Sequence, residues 1–284
     1  MNAYLISLIL GIVEGLTEFL PISSTAHIRI ASHYMGVSDS DIYWKAFAVI
    51  IQFGSVACLP IYFWPRIKKM LKTFPKGERG DRNIITHPLS LTMVAFACTA
   101  AIALPLKKVI SKNLENFEVI ALALLIGGVI MWVVDVMFKK GNTKHMEEMS
   151  LPQAIWVGVI QSLSAIFPGT SRSMSTIAAG QTGGMDRHTA LEFSFFLCIP
   201  TMVAATAKET LDVLRHKDEF AALAPLTHDQ YIQLAIGLAA AFVVGLVIVH
   251  LFMSWVRKHG FIPFAIYRIV LGAALMYLVM THRL

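Results

Sequence analysis

Long apolar runs dominate the chain and predict membrane-spanning helices. A span needs about 20 residues at a rise of about 1.5 Å each. Residues 46–64 and 88–106 approach that length without a single charge, and 119–138 carries only Asp135, near its end, where we expect it to reach the interface. The remaining runs are 193–207, 231–255 and 261–281. The pattern predicts an all-α polytopic membrane protein with about six transmembrane helices.

Two other apolar runs are interrupted by polar, proline-containing motifs. Residues 2–13 lead into a segment with two glutamates, a proline and two serines, and 151–167 lead into a Pro-Gly pair followed by Ser, Thr and Arg. Short segments interrupted by Pro or Gly at corresponding places in two halves are typical of broken or re-entrant helices. We therefore expect two re-entrant helix pairs.

The two motifs do correspond along the chain. A shift of 147 residues lays 11–31 on 158–178, and residues 193–207 then fall on 46–60 without a gap. Identical residues occur at six pairs of positions: Gly11/Gly158, Leu16/Leu163, Pro21/Pro168, Ser24/Ser171, Ile30/Ile177 and Ala31/Ala178. We interpret this as an internal duplication.

The duplication divides one membrane domain, residues 1–284, into repeats 1–147 and 148–284. Each repeat holds one interrupted segment and three spans. Because three is odd, the second repeat must enter the membrane upside down, which predicts an inverted-topology repeat.

Basic residues between the spans predict the orientation. Loop 65–87 carries seven Lys and Arg residues and should be cytoplasmic, together with loops 139–151 and 256–260. Loop 208–230 then lies outside, as does loop 107–116, whose three lysines are an inconsistency. Both termini face out, the re-entrant segments enter from opposite sides, and their tips can meet near the midplane.

Composition supports a membrane protein and argues against nucleic-acid binding. The chain is 56% hydrophobic and 15% charged, whereas soluble domains carry about 25% charge. Its net charge of +6 comes mostly from loops between apolar runs, where topology explains it. The cysteines lie inside apolar runs and are expected to be small buried hydrophobes: Cys58, Cys98 and Cys198.

Glu14 and Glu18 are the first candidates for chemistry. They are four residues apart and share a helix face. A carboxylate at bilayer depth costs at least about 2.5 kcal/mol, and two like charges add repulsion that a cation or a proton would relieve. The simplest relief is a divalent metal cation, magnesium or calcium, held by the carboxylate oxygens. The alternative is that the segment is shallow and both carboxylates are hydrated.

A helix break follows the two acids. Pro21 ends the helix, and Ser23, Ser24 and Thr25 can start another, with His27 one turn further on. Free N–H groups at a helix N-terminus bind phosphate, so these residues are candidates for substrate binding and catalysis. An ordinary serine-capped helix with a surface histidine is the alternative.

The second interrupted segment supplies matching groups. Gly169, Thr170, Ser171 and Ser173 form a turn rich in hydroxyls around Arg172, which would lie near the bilayer centre. A guanidinium there needs an anionic partner, and its planar fork suits phosphate. Pairing of Arg172 with one of the two glutamates is the structural alternative.

Other polar residues are expected to be structural. Arg268 and His250 lie inside predicted spans, and we expect them to face the bundle interior and make structural hydrogen bonds. Residues 186–188 are interpreted as a loop.

The sequence Glu14-Gly-Leu-Thr-Glu-Phe-Leu-Pro-Ile-Ser-Ser-Thr-Ala-His27 resembles the first signature of the undecaprenyl-diphosphate phosphatases of the bacitracin-resistance type, and Pro168-Gly-Thr-Ser-Arg-Ser173 resembles the second. The resemblance covers nearly the whole chain. It implies a C55 polyprenyl diphosphate substrate, a divalent cation and a site open to the periplasm of the bacterial inner membrane. The matching functional positions are Glu14, Glu18, Ser23, Ser24, Thr25, His27, Ser171 and Arg172.

The resemblance also implies a physiological role and partners. The product, a polyprenyl monophosphate, would be recycled as lipid carrier for peptidoglycan synthesis, with bacitracin resistance as a consequence. Expected partners are the lipid diphosphate and membrane lipids, with a homodimer left open and no nucleic acid.

Our mechanistic hypothesis takes Ser24 as nucleophile and His27 as general base, with water attack assisted by His27 or Glu18 as the alternative. Opposed broken helices are also typical of secondary transporters, so a carrier of the lipid monophosphate or of a small anion is a competing class. A serine next to a histidine favours the enzyme, because a transporter needs a charged clamp but no nucleophile.

Overall fold

The structure is a computed structural model that describes residues 2–38, 41–106, 116–215 and 226–281, with side chains omitted over 209–215. This part of the chain forms eleven α-helices and a short 3₁₀ helix. In chain order the helices are α1 (Ala3–Thr17), α2 (Ser24–Tyr34), α3 (Ile42–Tyr62), α4 (Trp64–Thr73), α5 (Pro88–Ala103), α6 (Phe117–Met137), α7 (Leu151–Ile166), α8 (Arg172–Thr182), α9 (Arg187–Arg215), α10 (His228–His259) and α11 (Ile262–Met280).

Five helices are long and apolar enough to cross a membrane: α3, α6, α9 over Arg187–Lys208, α10 and α11. They contain five of the six predicted spans, so the chain is a helical, polytopic membrane protein. The sixth run forms α5, which has only 16 residues. The three lysines of loop 107–116 that conflict with its predicted outer position lie outside the described residues: Lys107, Lys108 and Lys112.

Helices α1 and α7 both end within four residues of a proline. Helix α1 stops at Thr17 ahead of Pro21, and α7 stops at Ile166 ahead of Pro168. Proline lacks the N–H that continues a helix, and it disfavours helical backbone in the residue before it. The predicted interruptions are therefore present as two helix–turn–helix segments, α1–α2 and α7–α8.

The new helices begin in the same unusual way. Ser23 caps α2 at φ 74° and Ser171 caps α8 at φ 70°, a backbone region that residues other than glycine seldom adopt. Their side-chain oxygens accept hydrogen bonds from Ala26 N and Met174 N. These two serines are the only described non-glycine residues with positive φ.

The two turns differ in length. One residue separates Pro21 from the cap Ser23, but two residues separate Pro168 from the cap Ser171. The structural counterpart of Ser171 is therefore Ser23, and the pairing of Ser24 with Ser171 from the ungapped shift is wrong. Ser24 instead corresponds to Arg172, since both are the first residue of their helix.

Each interrupted segment packs against a helix from the other half of the sequence. Helix α1 lies on α10, where a Cβ on Gly11 would come within 2.5 Å of the Gly237 carbonyl oxygen. Helix α7 lies on α5, where a Cβ on Gly158 would collide with the backbone of Ala95. Small residues thus let these backbones approach closely, as is common between membrane helices.

A buried ion pair joins four elements at one end of the bundle. Asp135 is fully buried at the end of α6 and accepts hydrogen bonds from Arg187 Nε at 2.7 Å, Phe261 N at 2.9 Å and Gln181 Nε2 at 3.3 Å. The expectation that Asp135 reaches the interface is wrong, because Arg187 compensates its charge inside the protein.

Residues 187 and 188 are helical rather than part of a loop. Asp186 accepts a 2.7 Å hydrogen bond from Thr189 N. This contact caps α9, which therefore starts at Arg187. The cysteines behave as predicted, with Cys58 and Cys198 buried and Cys98 partly buried, and all three are free thiols.

Candidate active site

Glu18 joins the starts of the two opposed helices. Its Oε2 atom accepts a 2.6 Å hydrogen bond from Ser24 Oγ, and its Oε1 atom lies 3.3 Å from Arg172 Nη2. Because Ser24 is the first residue of α2 and Arg172 the first of α8, the carboxylate connects the two helix N-termini. The structure therefore brings together three predicted site residues from two distant segments of the sequence.

Arg172 is nearly buried, with a side chain 10% exposed. Besides Glu18 it contacts the Ser194 carbonyl oxygen, which accepts from Nη1 at 3.3 Å. Its Nε atom has no hydrogen-bond partner among the described residues. The structure thus shows the glutamate pairing considered as an alternative, while one buried donor of the guanidinium is left over for an anion.

Glu14 is a fully buried carboxylate beside Glu18. It is 0% exposed, and neither of its oxygens accepts a hydrogen bond from a donor in the described part of the chain. Glu18 is close enough to share a side-chain hydrogen bond with it when one of the two acids is protonated, and Arg172 also acts on it electrostatically. Two buried carboxylates this close repel each other, and a shared proton or a hard cation with oxygen ligands would relieve the repulsion.

The donor set for such a cation is small. No cluster of three or more His, Cys, Asp or Glu side chains with metal-binding geometry occurs within the described ranges. Glu14 and Glu18 would therefore be the protein ligands, with further positions left to substrate oxygens and water. This pattern suits magnesium, which is usually bound through one or two carboxylates plus phosphate oxygens.

His27 is oriented away from Ser24. Its Nδ1 atom lies 2.7 Å from the Ser23 carbonyl oxygen, and its Nε2 atom lies 2.6 Å from the Tyr267 hydroxyl. The hydrogen bond of the Ser24 hydroxyl in the described structure goes to Glu18. Spacing alone suggested a Ser24–His27 pair, but the ring turns toward the Ser23 carbonyl and helix α11, and the Ser24 hydroxyl is bonded to the Glu18 carboxylate instead.

Arg268 fixes the two turns relative to each other. It is fully buried, and it donates hydrogen bonds to the carbonyl oxygens of Pro21 at 3.2 Å, Gly169 at 3.1 Å and Ala123 at 3.0 Å. The predicted structural role of Arg268 is confirmed. The matching expectation for His250 is wrong, since that residue is exposed.

Gly169 allows close packing of the second turn. It has φ 91°, and a Cβ at this position would come within 2.7 Å of the Ile120 carbonyl oxygen. Any larger residue would therefore push the turn away from α6 and from Arg268.

The remaining predicted hydroxyls divide into two groups. Those of Ser23 and Ser171 cap their helices, and Ser173 Oγ donates to the Leu20 carbonyl oxygen at 3.0 Å, which ties the two turns together. Thr25 and Thr170 are partly exposed at the turns. Ser171 is also partly exposed, whereas Ser23 and Ser173 are buried.

Two functional neighbours were not found from the sequence. Tyr267 meets His27 from α11, and Ser194 meets Arg172 from α9. The Ser194 hydroxyl also shares a 2.6 Å hydrogen bond with Thr176. Neither residue belongs to a polar motif. The sequence feature that could have indicated Tyr267 is its position directly before Arg268, a charged residue inside an apolar run.

Residues 7–274 match the family model described as "Bacitracin resistance protein BacA". The chain belongs to the BacA family. The matched region contains Glu18, Ser24 and Arg172, and the two turns that precede α2 and α8. It also contains Tyr267 and Arg268 on α11.

Curated relatives align over almost the whole chain. An undecaprenyl-diphosphatase from Koribacter versatilis is 55% identical over 97% of this chain and 98% of its own length. Undecaprenyl-diphosphatases from Novosphingobium aromaticivorans and Bdellovibrio bacteriovorus are each 38% identical, covering 96% and 98% of this chain and 97% of their own lengths.

Proposed function

We propose that this protein hydrolyses undecaprenyl diphosphate to undecaprenyl phosphate and inorganic phosphate. The observation that carries the proposal is the junction of Glu18 with Ser24 and Arg172, where a nucleophile, a proton acceptor and a phosphate-binding guanidinium meet between two helix N-termini. Membership of the BacA family and the names of its relatives supply the substrate.

The proposed membrane arrangement has six spans, with α5 as the sixth, and two re-entrant pairs, α1–α2 and α7–α8. Residues 1–147 and 148–284 would form inverted repeats whose turns meet at Glu18. The basic loop 65–87 supports a cytoplasmic position for α4 and a site that opens to the periplasm of the inner membrane.

In the proposed mechanism, Ser24 Oγ attacks the terminal phosphorus while its proton passes to Glu18 Oε2. The new P–O bond to Ser24 forms as the bond to undecaprenyl phosphate breaks. Arg172 and the N–H groups at the starts of α2 and α8 bind the phosphoryl oxygens and stabilise their charge. Water then attacks the phosphoserine. Its oxygen forms the new P–O bond of inorganic phosphate, its protons leave with that phosphate, and Glu18 returns the first proton to Ser24 Oγ.

Glu14 and Glu18 would hold a divalent cation, magnesium or calcium. When bound, the cation would neutralise charge on the diphosphate. Glu14 is the better assigned ligand, because both of its oxygens lack partners in the described structure, whereas Glu18 already serves Ser24 and Arg172.

The proposed reaction implies a physiological role in recycling the lipid carrier. The released monophosphate is the form of the lipid that can be loaded again, so the protein would recycle the carrier for peptidoglycan synthesis. The description of the family as bacitracin resistance proteins supports a contribution of this reaction to bacitracin resistance. Association into a homodimer stays a prediction.

The deciding experiment measures phosphate release from undecaprenyl diphosphate by the purified full-length chain in detergent. Glu18→Gln should lose at least about a hundredfold in rate, because the amide cannot take the Ser24 proton. Glu118→Gln is the matched control, since Glu118 is exposed at the start of α6 and should leave the rate unchanged.

Two outcomes would contradict the proposal. A folded wild type that releases no phosphate but moves the lipid monophosphate across vesicles would favour the transporter class. A trapped phospho-enzyme carrying its phosphate on a residue other than Ser24 would remove Ser24 as nucleophile while leaving the reaction in place.

A further inference from the structure

We propose that Tyr267 is a positioning residue that holds the His27 imidazole in one tautomer and one orientation for its part in phosphate release. This rests on the proposed phosphatase function. The Tyr267 hydroxyl lies 2.6 Å from His27 Nε2, across 240 residues of sequence. The two ring planes are also nearly parallel, with centroids 5.6 Å apart and an angle of 10° between them.

The partners of the ring nitrogens define the tautomer. His27 Nδ1 lies 2.7 Å from the Ser23 carbonyl oxygen, and a carbonyl can only accept, so Nδ1 carries the proton. In the neutral ring Nε2 then has the lone pair and accepts from the Tyr267 O–H. The basic nitrogen therefore faces Tyr267 and not Ser24.

A phenol suits both protonation states of the histidine. When Nε2 gains a proton, its N–H can donate to the Tyr267 oxygen, because a hydroxyl is both donor and acceptor. Phenylalanine would keep the aromatic ring but lose both hydrogen bonds. Tyr267 can thus hold the imidazole in place before and after proton transfer, as an acid–base group requires.

The position of Tyr267 is fixed by the residue that follows it. Arg268 donates to the carbonyl oxygens of Pro21 and Gly169, so α11 is attached to both turns at the next residue. Arg268 is also the charged side chain that acts electrostatically on His27, while Glu18 is bonded to Ser24 and Arg172. The His27–Tyr267 contact is therefore built into the junction of the two halves.

The assignment also separates two proton pathways. Ser24 hands its proton to Glu18, whereas the one lone pair of the neutral His27 ring faces the Tyr267 hydroxyl, so a proton that His27 takes from water or gives to the leaving phosphate passes through that hydroxyl. This explains why a histidine one turn from Ser24 makes no hydrogen bond to it in the described structure.

The test compares Tyr267→Phe with Tyr277→Phe in the full-length protein, using phosphate release from undecaprenyl diphosphate. Tyr277 lies on the same helix and is 62% exposed, so its variant should match the wild type. Tyr267→Phe should lower kcat about tenfold with KM within about twofold, and should alter the pH dependence of kcat. Unchanged kcat and pH profile would overturn the proposal.

A double-mutant cycle separates positioning from general structural damage. In a His27→Gln background, Tyr267→Phe should lower kcat by less than about twofold further, because its effect passes through the imidazole. A full tenfold loss in that background would show that Tyr267 acts elsewhere.

A readout without activity keeps this proposal distinct from the proposed function. In ¹⁵N-histidine-labelled protein, with His27 assigned through His27→Gln, the ring should be a single Nδ1–H tautomer. Its Nε2 resonance should move in Tyr267→Phe and stay in Tyr277→Phe. An unmoved resonance would overturn the positioning role even in an active enzyme, and an inactive wild type with the expected shifts would count against the phosphatase alone.

Discussion

The Glu18 carboxylate lies 3.3 Å from Arg172 Nη2, across 154 residues of sequence, and both side chains are nearly buried. The pair is the point at which the two broken helix segments meet. Because Glu18 also accepts from Ser24, a change at Arg172 alters the charge around the Ser24 hydroxyl, which we propose as the nucleophile, and it alters the guanidinium that we propose to bind phosphate.

Arg172→Lys should therefore abolish most activity although the charge is kept. A lysine is a point charge and cannot contact Glu18, the Ser194 carbonyl and a phosphate with one planar group. Hydrogen bonds between charged groups contribute about 1.5–3 kcal/mol each, so kcat/KM should fall about tenfold to a hundredfold. Arg257→Lys is the control and should leave kcat/KM unchanged, because Arg257 is exposed near the C-terminal end of α10. Wild-type kinetics in Arg172→Lys would contradict phosphate binding by the guanidinium fork.

Glu14→Gln should raise the metal requirement of the enzyme. The wild type should lose activity with chelator and regain it with magnesium, and Glu14→Gln should need at least about tenfold more magnesium, because the amide lacks the negative charge of a carboxylate ligand.

Thermal unfolding in detergent with and without magnesium checks this without an activity assay. Added magnesium should raise the unfolding temperature of the wild type and leave that of Glu14→Gln almost unchanged. Equal shifts in both proteins would exclude Glu14 as a ligand.

The parts of the site carried by local motifs were predictable from the sequence. Pro21 and Pro168 break their helices, and charged residues inside apolar segments had to find partners at membrane depth. That reasoning suffices to bring Glu18, Ser24 and Arg172 to one place, as the hydrogen bonds show.

The parts that depend on side-chain direction or on distant helices were not predictable. His27 is three residues from Ser24, but its contacts to Ser23 and Tyr267 decide where the ring points. Tyr267 comes from α11 and leaves no local pattern near His27. The second turn has one residue more than the first between its proline and its capping serine, Ser171. An ungapped alignment of the two halves could not detect this residue, because it lengthens one turn and leaves the helices unchanged.

Gly158→Val should separate α7 from α5. The backbone of Ala95 occupies the space that a Cβ would need, and overpacking of this kind costs about 1–3 kcal/mol. A lower unfolding temperature and reduced activity are expected, because α7 carries the second turn. Val159→Leu, at the neighbouring exposed position, should leave both unchanged. A Gly158→Val protein as stable as the wild type would show that the two helices can move apart freely.

Asp135→Asn should be the most destabilising of these changes. Asp135 is fully buried and accepts from Arg187 Nε at 2.7 Å and Nη2 at 2.8 Å, so the amide would leave the guanidinium without its counter-charge. Breaking one partner of a buried ion pair costs about 3–5 kcal/mol, and the low end applies here because the Arg187 side chain is 24% exposed.

The double variant Asp135→Asn with Arg187→Gln isolates that cost. Because no uncompensated charge remains, it should be less destabilised than the sum of the two single changes, by at least about 1 kcal/mol. Thermal unfolding in detergent measures all three proteins, with Glu118→Gln at the opposite end of α6 as the control. Strict additivity would mean that Asp135 acts mainly through Phe261 N and Gln181, and that the ion pair with Arg187 adds little to the attachment of α9.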